Sequence, residues 1–473
     1  MLGRSMEVLS VSPLRTASLL WQAKPGAWIF TVICKATFVL APTESPLAPE
    51  QEEPNEEDTH WDDDPARSLH SASDLVPFKI RADVALVGHA FAPGKRPARN
   101  VVARMVIGDI DKAVEAVCDR WFTQDGRLHE GSPFTRMSLN YERAFGGPGT
   151  SNPVGVRRDV RDAYGKSPVP NLQPPGLVIS SPGDSFEPVG FGPLAPSWPT
   201  RREKLGRHAG NPSPRALLAT PLPEDIDPAF WNVAPLDQQL GALRNNERIV
   251  LENLHPEHPR LVTSLPGISP RAYIDGRPGG ALELPMNADT LFIDTDRALC
   301  SITWRGSFQL EHMVERGRVI VGMEQPGKPL SWAEAERLID RKNLESAAPT
   351  APPAPRRAPQ SSYADYQPKE PTMKSAAFPF AAKKTAETGA PKSSAAPVFI
   401  AKHASDAGEK DDPFSDTTNT YVGAPDAEAK GTPLPFATTF DDRRAITGSN
   451  AGLPFTGRMQ PPRPGDAPPL PPP

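Results

Sequence analysis

The chain has 473 residues, of which 59 are proline, and a net charge of −5 from 52 basic and 57 acidic side chains. Proline at about one residue in eight is more than twice the usual share of about 5%, and helix interiors and central strands exclude it. That composition argues against an all-helical bundle or a long coiled coil. An acidic balance also argues against the basic footprint that phosphate-backbone binding needs.

The prolines divide the chain. Residues 346–473 hold 23 of them, and all eight tryptophans precede residue 346. The aromatic core material thus lies in a body, 1–345. The segment 346–473 is a Pro/Ala-rich tail whose composition cannot offset its ordering entropy, so it is expected to be disordered. The three cysteines, Cys34, Cys118 and Cys300, are distant and odd in number, which suits a reducing compartment. The most apolar stretch, Ala27–Ala41, is interrupted by Lys35 and is too short to span a bilayer. The expectation is a soluble, cytoplasmic protein.

Taken in chain order, the body reads as strands. Residues 28–40 are β-branched and aromatic on both faces, as a central strand requires. Residues 44–64 carry ten carboxylates and no Lys or Arg; like charges repel, so an acidic, solvated loop is expected. Phe78, Ile80, Ala82, Val84, Leu86 and Ala90 alternate with Lys79, Arg81, Asp83 and His89, the pattern of a half-buried strand. Further strand-like runs occur at 100–107, 134–141, 248–254, 260–265, 290–294, 299–304 and 318–323. A helix over 332–343 closes the body. Ser331 and Glu334 have capping-box spacing, and Trp332, Ala335, Leu338 and Ile339 form its apolar stripe. The predicted fold class is mainly β, an antiparallel β-sandwich or open barrel with one C-terminal helix, followed by the disordered tail.

Short apolar islands recur in that tail, among them Leu434-Pro435-Phe436 and Leu453-Pro454-Phe455. They fit either biased composition or a string of linear motifs in which Pro pre-extends the backbone and Phe anchors.

A search for chemistry finds no nucleophile elbow, P-loop or H-E-x-x-H motif. His255 and His258 are flanked by Pro256 and Pro259, which makes a turn the expected role rather than a helical zinc pair. Asp294 and Asp296 read as a polar strand end. Gly146-Gly147-Pro148-Gly149 reads as a tight turn, because Pro148 lacks the amide a phosphate loop would use. Arg201, Arg202, Lys204 and Arg207 read as a solvated face or a patch for an acidic protein surface. No catalytic residue, cofactor site or metal site is assigned.

One ordered set of segments resembles a known family. They include Asp74–Lys79, Ala82-Asp83-Val84, Asp119-Arg120-Trp121, Tyr141-Glu142-Arg143-Ala144-Phe145-Gly146-Gly147, Asn152-Pro153-Val154-Gly155, Gly190–Leu194 with Trp198 and Arg201, and Asn232–Gln239. Over about residues 15–325 the chain resembles the effector adaptors of bacterial type VI secretion systems, a family first catalogued as a domain of unknown function. It departs at Leu243–Glu247, where Gly-Asp is expected before the Glu. The resemblance implies a non-enzymatic adaptor or chaperone in the donor cytoplasm. It would bind a toxic effector, often with a PAAR-like domain, and load it onto the spike trimer, with no role for nucleic acid or membrane. It nominates Tyr141, Glu142, Arg143, Phe145, Gly146, Gly147, Asn152, Arg201, Asn232 and Asp237 as partner-binding residues; Phe436 and Phe455, in the tail outside the resemblance, join them as the anchors of the Pro-Phe motifs. Each of the body positions also has a structural reading, as a turn, a cap or a cross-strand pair. A carboxylate hydrolase using Glu142, Asp237 and Glu247 and a structural component of the secretion machine are the alternatives.

Overall fold

The computed structural model describes residues 6–157, 160–276 and 280–347. The chain divides into two units, Met1–Ser362 and Tyr363–Pro473; the first is described here. Phe436, Phe455 and the expected disorder of the tail lie outside the described residues.

The fold is mainly β. Its principal strands are β1 (Glu7–Ser10), β2 (Arg15–Lys24), β3 (Ala27–Val39), β4 (Ala82–Val87), β5 (Asn100–Ile107), β6 (Ile110–Val117), β7 (Arg248–Glu252), β8 (Arg260–Ser264), β9 (Ser269–Asp275), β10 (Asn287–Asp294), β11 (Leu299–Leu310) and β12 (Arg318–Glu324). Helix α1 (Trp332–Ala347) closes the described body. Three sheets dominate. A six-stranded sheet runs from the short strand Gln239–Leu240 through β4, β10, β11 and β3 to β2. A five-stranded sheet runs from Leu172–Gln173 through β6, β5 and β7 to β8, and a four-stranded sheet orders β1, β12, β9 and Leu282–Leu284. Most pairings are antiparallel, but β4 pairs parallel with β10 and β1 with β12. Both parallel pairs join segments far apart in sequence, which no local hairpin pattern announces.

All three sheets contribute to one core. Val32 and Cys34 of β3, Val84 and Leu86 of β4, Leu291 and Ile293 of β10, and Ile302 and Trp304 of β11 come from the six-stranded sheet. Met105, Ile107, Ile249 and Leu251 come from the five-stranded sheet, and Ala272, Ile274, Val319 and Val321 from the four-stranded one. Each fully buried aliphatic side chain of this kind contributes about 1.5–3 kcal/mol. Burial pushes the Cys300 thiol up to about 12 and raises that of Cys34 further, so neither is a thiolate at neutral pH.

The other face of the six-stranded sheet is polar yet buried. Lys35 Nζ lies 3.2 Å from Asp74 Oδ2, and Thr303 Oγ1 donates to Asp74 Oδ1 at 3.1 Å. Arg305 pairs with Asp289 and donates from Nη2 to the Asp74 carbonyl at 2.6 Å. Lys79 Nζ reaches Asp83 Oδ2 and Thr290 Oγ1, both at 2.8 Å. Burial pushes the Asp74 carboxyl up, but Lys35, Arg305 and the Asn55 amide together hold it below the usual carboxylate range. This layer corrects the half-buried alternation expected around residue 83. Every residue of β4 is buried, and residues 78–81 lie before the strand, outside any sheet. Asp83 is accommodated inside because its oxygens receive Lys79, the Asn232 side chain and the Val233 amide.

The acidic segment 44–64 is mostly loop with fixed anchors, but it ends in a short strand, Thr59–His60, paired with Leu69–Ser71, and a 3-10 turn, Trp61–Asp63. Gln51 bridges the Thr37 amide and carbonyl, Glu53 pairs with Arg15 at 3.2 Å, and Glu57 pairs with Arg215 at 2.8 Å. Residues 44, 50, 53, 56, 57 and 62–64 face solvent. At α1, Glu334 Oε2 accepts from the Ser331 amide at 2.9 Å, one half of the predicted capping box. The Ser331 hydroxyl donates to the same carboxylate rather than accepting from the helix amide. Ala335 and Ile339 are buried against Tyr273 and Ile320. No helix among the described residues is long and apolar enough to cross a membrane.

Candidate partner-binding site

The segments carrying the resemblance converge around one 3-10 turn, Tyr141–Arg143. The Tyr141 ring is buried edge-on to Trp198, with centroids 5.1 Å apart, and its hydroxyl donates to the Gly192 carbonyl at 3.2 Å. Desolvation raises its pKa, so it stays protonated. Gly190 is required beside it, because a Cβ there would stand 2.5 Å from the ring.

The loop that follows is closed from within by Asn152. Its Nδ2 donates to the carbonyls of Tyr141 and Phe145, both at 2.9 Å. The backbone of Phe145 bridges Val156 in parallel, and the Gly147 amide donates to the Asn152 carbonyl at 2.8 Å. Gly146 is needed for close approach rather than for positive φ: a Cβ would meet the Asn152 carbonyl oxygen at 2.2 Å. Only Gly147, at φ 118, uses the conformational freedom expected of the pair.

Glu142 and Arg143 face different neighbours. Glu142 accepts from the Ser68 amide and the Ser68 hydroxyl, each at 2.7 Å, and from Arg67 Nε at 3.4 Å. Arg143 donates to Asn171 Oδ1 at 3.1 Å and lies 3.7 Å from Asp119. Arg201 is buried without a carboxylate. Its guanidinium donates to the Phe230 carbonyl twice, at 3.1 Å, and to the Leu194 carbonyl at 2.7 Å, stacked 5.0 Å over the Phe230 ring. Desolvation brings its pKa down to about 10. The expected basic patch is therefore split: Arg201 points inward, while Lys204 and Arg207 pair with Asp227 and Asp225. Asn232 Nδ2 donates to Asp83 Oδ1 at 3.0 Å and to the Arg81 carbonyl at 2.8 Å.

The Asn232–Gln239 stretch alternates between inside and outside. Gln238 is fully buried and donates to the Val84 and Phe191 carbonyls at 2.7 and 2.9 Å. Beside it Leu236 is 81% exposed. Asp237 holds Lys112 Nζ at 2.9 Å. Burial lowers the Lys112 pKa, and the Asp237 carboxylate opposes that shift.

Two groups of nominated residues therefore emerge. Tyr141, Glu142, Gly146, Gly147, Asn152, Arg201 and Asn232 build and brace the interior. Phe145, Arg143 and Asp237 reach the surface. Phe145 packs against Phe186 with the rings tilted and their centroids 5.1 Å apart, and it lines an apolar groove with Phe122, Val156, Ile179 and Pro182. Sequence reading did not single out Phe122, Ile179 or Phe186, because Phe122 ends the short strand Arg120–Phe122, the other two lie in a distant loop, and the three share no motif.

The paired histidines form the expected turn. His255 Nδ1 accepts from the Glu257 and His258 amides, both at 3.1 Å. Burial lowers the His255 pKa. Asp294 is a strand-end cap, accepting from the Asp296 and Arg297 amides at 3.0 and 3.1 Å. Among the described residues no cluster of three or more His, Cys, Asp or Glu side chains is placed to hold a metal ion.

No curated protein and no solved structure matches this chain. A family model matches residues 25–305, which takes in the six-stranded sheet from the start of β3 to Arg305 within β11, without β2, and the whole convergence around Tyr141. With more than half of its 473 residues matched, the chain belongs to the bacterial family described as uncharacterized protein conserved in bacteria (DUF2169).

Proposed function

We propose that this protein is a non-catalytic adaptor that binds a type VI secretion effector in the cytoplasm, keeps it soluble and promotes its loading onto the secretion spike. The resemblance at Tyr141–Gly147 and Asn232–Gln239 nominates the class. The observation that carries the reading is where the residues of those segments go. Their polar members brace the fold, and the surface beside them offers an apolar groove at Phe145 and Phe186 and the exposed Leu236. Apolar grooves with rigid walls suit the capture of a peptide or domain. A hydrolase would need a carboxylate with lone pairs free toward a cleft. Glu142 instead accepts three hydrogen bonds, and Asp237 is tied to Lys112.

Within this reading the effector's PAAR-like domain, or the region next to it, is the part bound. Co-purification tests the adaptor: the tagged chain brings down one effector in a stable complex. In a deletion strain that effector falls in abundance and fails to reach target cells. An effector that stays soluble, accumulates normally and is delivered without this protein overturns the proposal.

A further inference from the structure

We propose that β2 is a self-complementary edge through which two copies of this chain pair antiparallel about Ser18. Strand β2 is the terminal strand of the six-stranded sheet, with β3 as its one strand neighbour among the described residues. Main-chain groups on a strand point alternately to either side. The Gln22 carbonyl points away from β3, since it accepts the Leu222 amide at 2.9 Å. By alternation, Thr16, Ser18 and Leu20 also turn their N–H and C=O groups outward. Among the described residues none of these groups has a protein partner.

The opening is bounded at both ends. At one end Leu222 covers Gln22, and at the other the Ser10 hydroxyl donates to the Leu14 carbonyl at 2.8 Å. The other long sheet edge, β8, is covered instead: Thr43 and Ser45 bond the Val262 and Ser264 carbonyls, both at 2.9 Å. Open edges are normally blunted by charge, proline or a covering segment. Residues 16–22 (TASLLWQ) contain no charged residue and no proline, so the window is built to accept a strand.

A second copy fits this window in one register. If Ser18 faces Ser18 of the partner subunit, Thr16 of each copy faces Leu20 of the other. Each of the three outward residues then exchanges one donor and one acceptor, and three times two gives six main-chain hydrogen bonds. A register shifted by one step to either side brings in Leu14 or Gln22, whose carbonyls are occupied. The charged ends, Arg15 and Lys24, are kept from their own copies in this arrangement. The two Arg15 residues stand six positions apart along the ladder, about 20 Å at ~3.3 Å per residue. That exceeds the screening length of about 8 Å in physiological salt. Parallel self-pairing would place Arg15 beside Arg15. Ser18 itself is exposed and small, so nothing on the axis obstructs approach.

The test uses the full chain and light scattering over a concentration series. The expected result is a mass of twice the chain that falls toward one on dilution. Ser18→Lys and Ser18→Glu each place like charges face to face on the axis and should weaken pairing about fivefold or more. Circular dichroism of both variants should match the parent. An equimolar mixture of the two should restore the dimer, because Lys then faces Glu. A chain that is monomeric up to about 100 μM overturns the proposal. So does a dimer indifferent to both substitutions, or a mixture that fails to recover. A monomer whose capture of another protein is lost with Ser18→Lys also overturns it, assigning the edge to a different strand.

Discussion

Asn152 and Tyr141 are joined by a buried hydrogen bond, 2.9 Å from the side-chain amide to the carbonyl, and this bond ties the Gly-rich loop to the turn it follows. The same amide group also serves Phe145. One side chain thus holds both the buried Tyr141 and the groove-lining Phe145 in place. Replacing Asn152 with Ala leaves the Phe145 carbonyl without its donor and the Tyr141 carbonyl with the Ala144 amide alone, at a cost of about 1–3 kcal/mol. Urea unfolding should show the midpoint falling with an unchanged slope. Gly146→Val is more severe, because the Asn152 carbonyl stands 2.2 Å from the new Cβ and is backbone. Most of that variant should be recovered insoluble.

Arg201 provides a second check on the bracing role. Its planar fork satisfies two carbonyls from different segments, Leu194 and Phe230, which a lysine ammonium cannot span while also stacking on Phe230. Arg201→Lys should destabilise the protein by about 1–3 kcal/mol despite keeping the charge. Thermal unfolding measures this. An unchanged midpoint would mean that the carbonyls find water instead.

Much of this was legible along the chain, and the exceptions share a physical cause. Residues 28–40 and 100–107 are strands because their composition and period are local properties, and β3 and β5 fall within a residue or so of those bounds. Asp83 was misread because a carboxylate in an alternating pattern ordinarily marks the solvent face. Here its partners, Lys79 and Asn232, come from the segment before the strand and from a loop about 150 positions away. Gly146 was misread for a related reason. A glycine spared for contact looks the same in sequence as one needed for positive φ, and only the position of Asn152 separates them. The Phe145 groove is assembled from four separate segments, so no spacing could announce it.

His255 makes stability depend on pH. Burial lowers its folded pKa below the ordinary 6.5, so the unfolded chain binds the proton more tightly. The stability present above pH 6.5 is therefore lost as pH falls from 6.5 toward the lower, folded value. His255→Asn keeps an acceptor for the Glu257 and His258 amides but does not titrate. Unfolding midpoints measured between about pH 7 and pH 5 should show a shallower decline for this variant than for the parent. An identical slope in both would remove His255 as a contributor.

The groove supplies the most direct test of partner binding in the body. Phe186→Ala removes the ring packed against Phe145, while Phe186 itself is only half-buried, so the fold should survive. Effector capture should weaken by about tenfold, the effect of losing an aromatic anchor worth more than about 1 kcal/mol. Deleting 346–473 probes the other contribution. Linked weak motifs can strengthen attachment by about 10²–10⁴ without any new strong contact. Under the adaptor proposal the deletion should therefore weaken capture without abolishing it, and Phe436→Ala with Phe455→Ala should reproduce part of that loss. Titration of the effector against the three variants separates the contributions. If the tail deletion removes all binding while Phe186→Ala changes nothing, the partner engages the tail, and the groove is not its docking site.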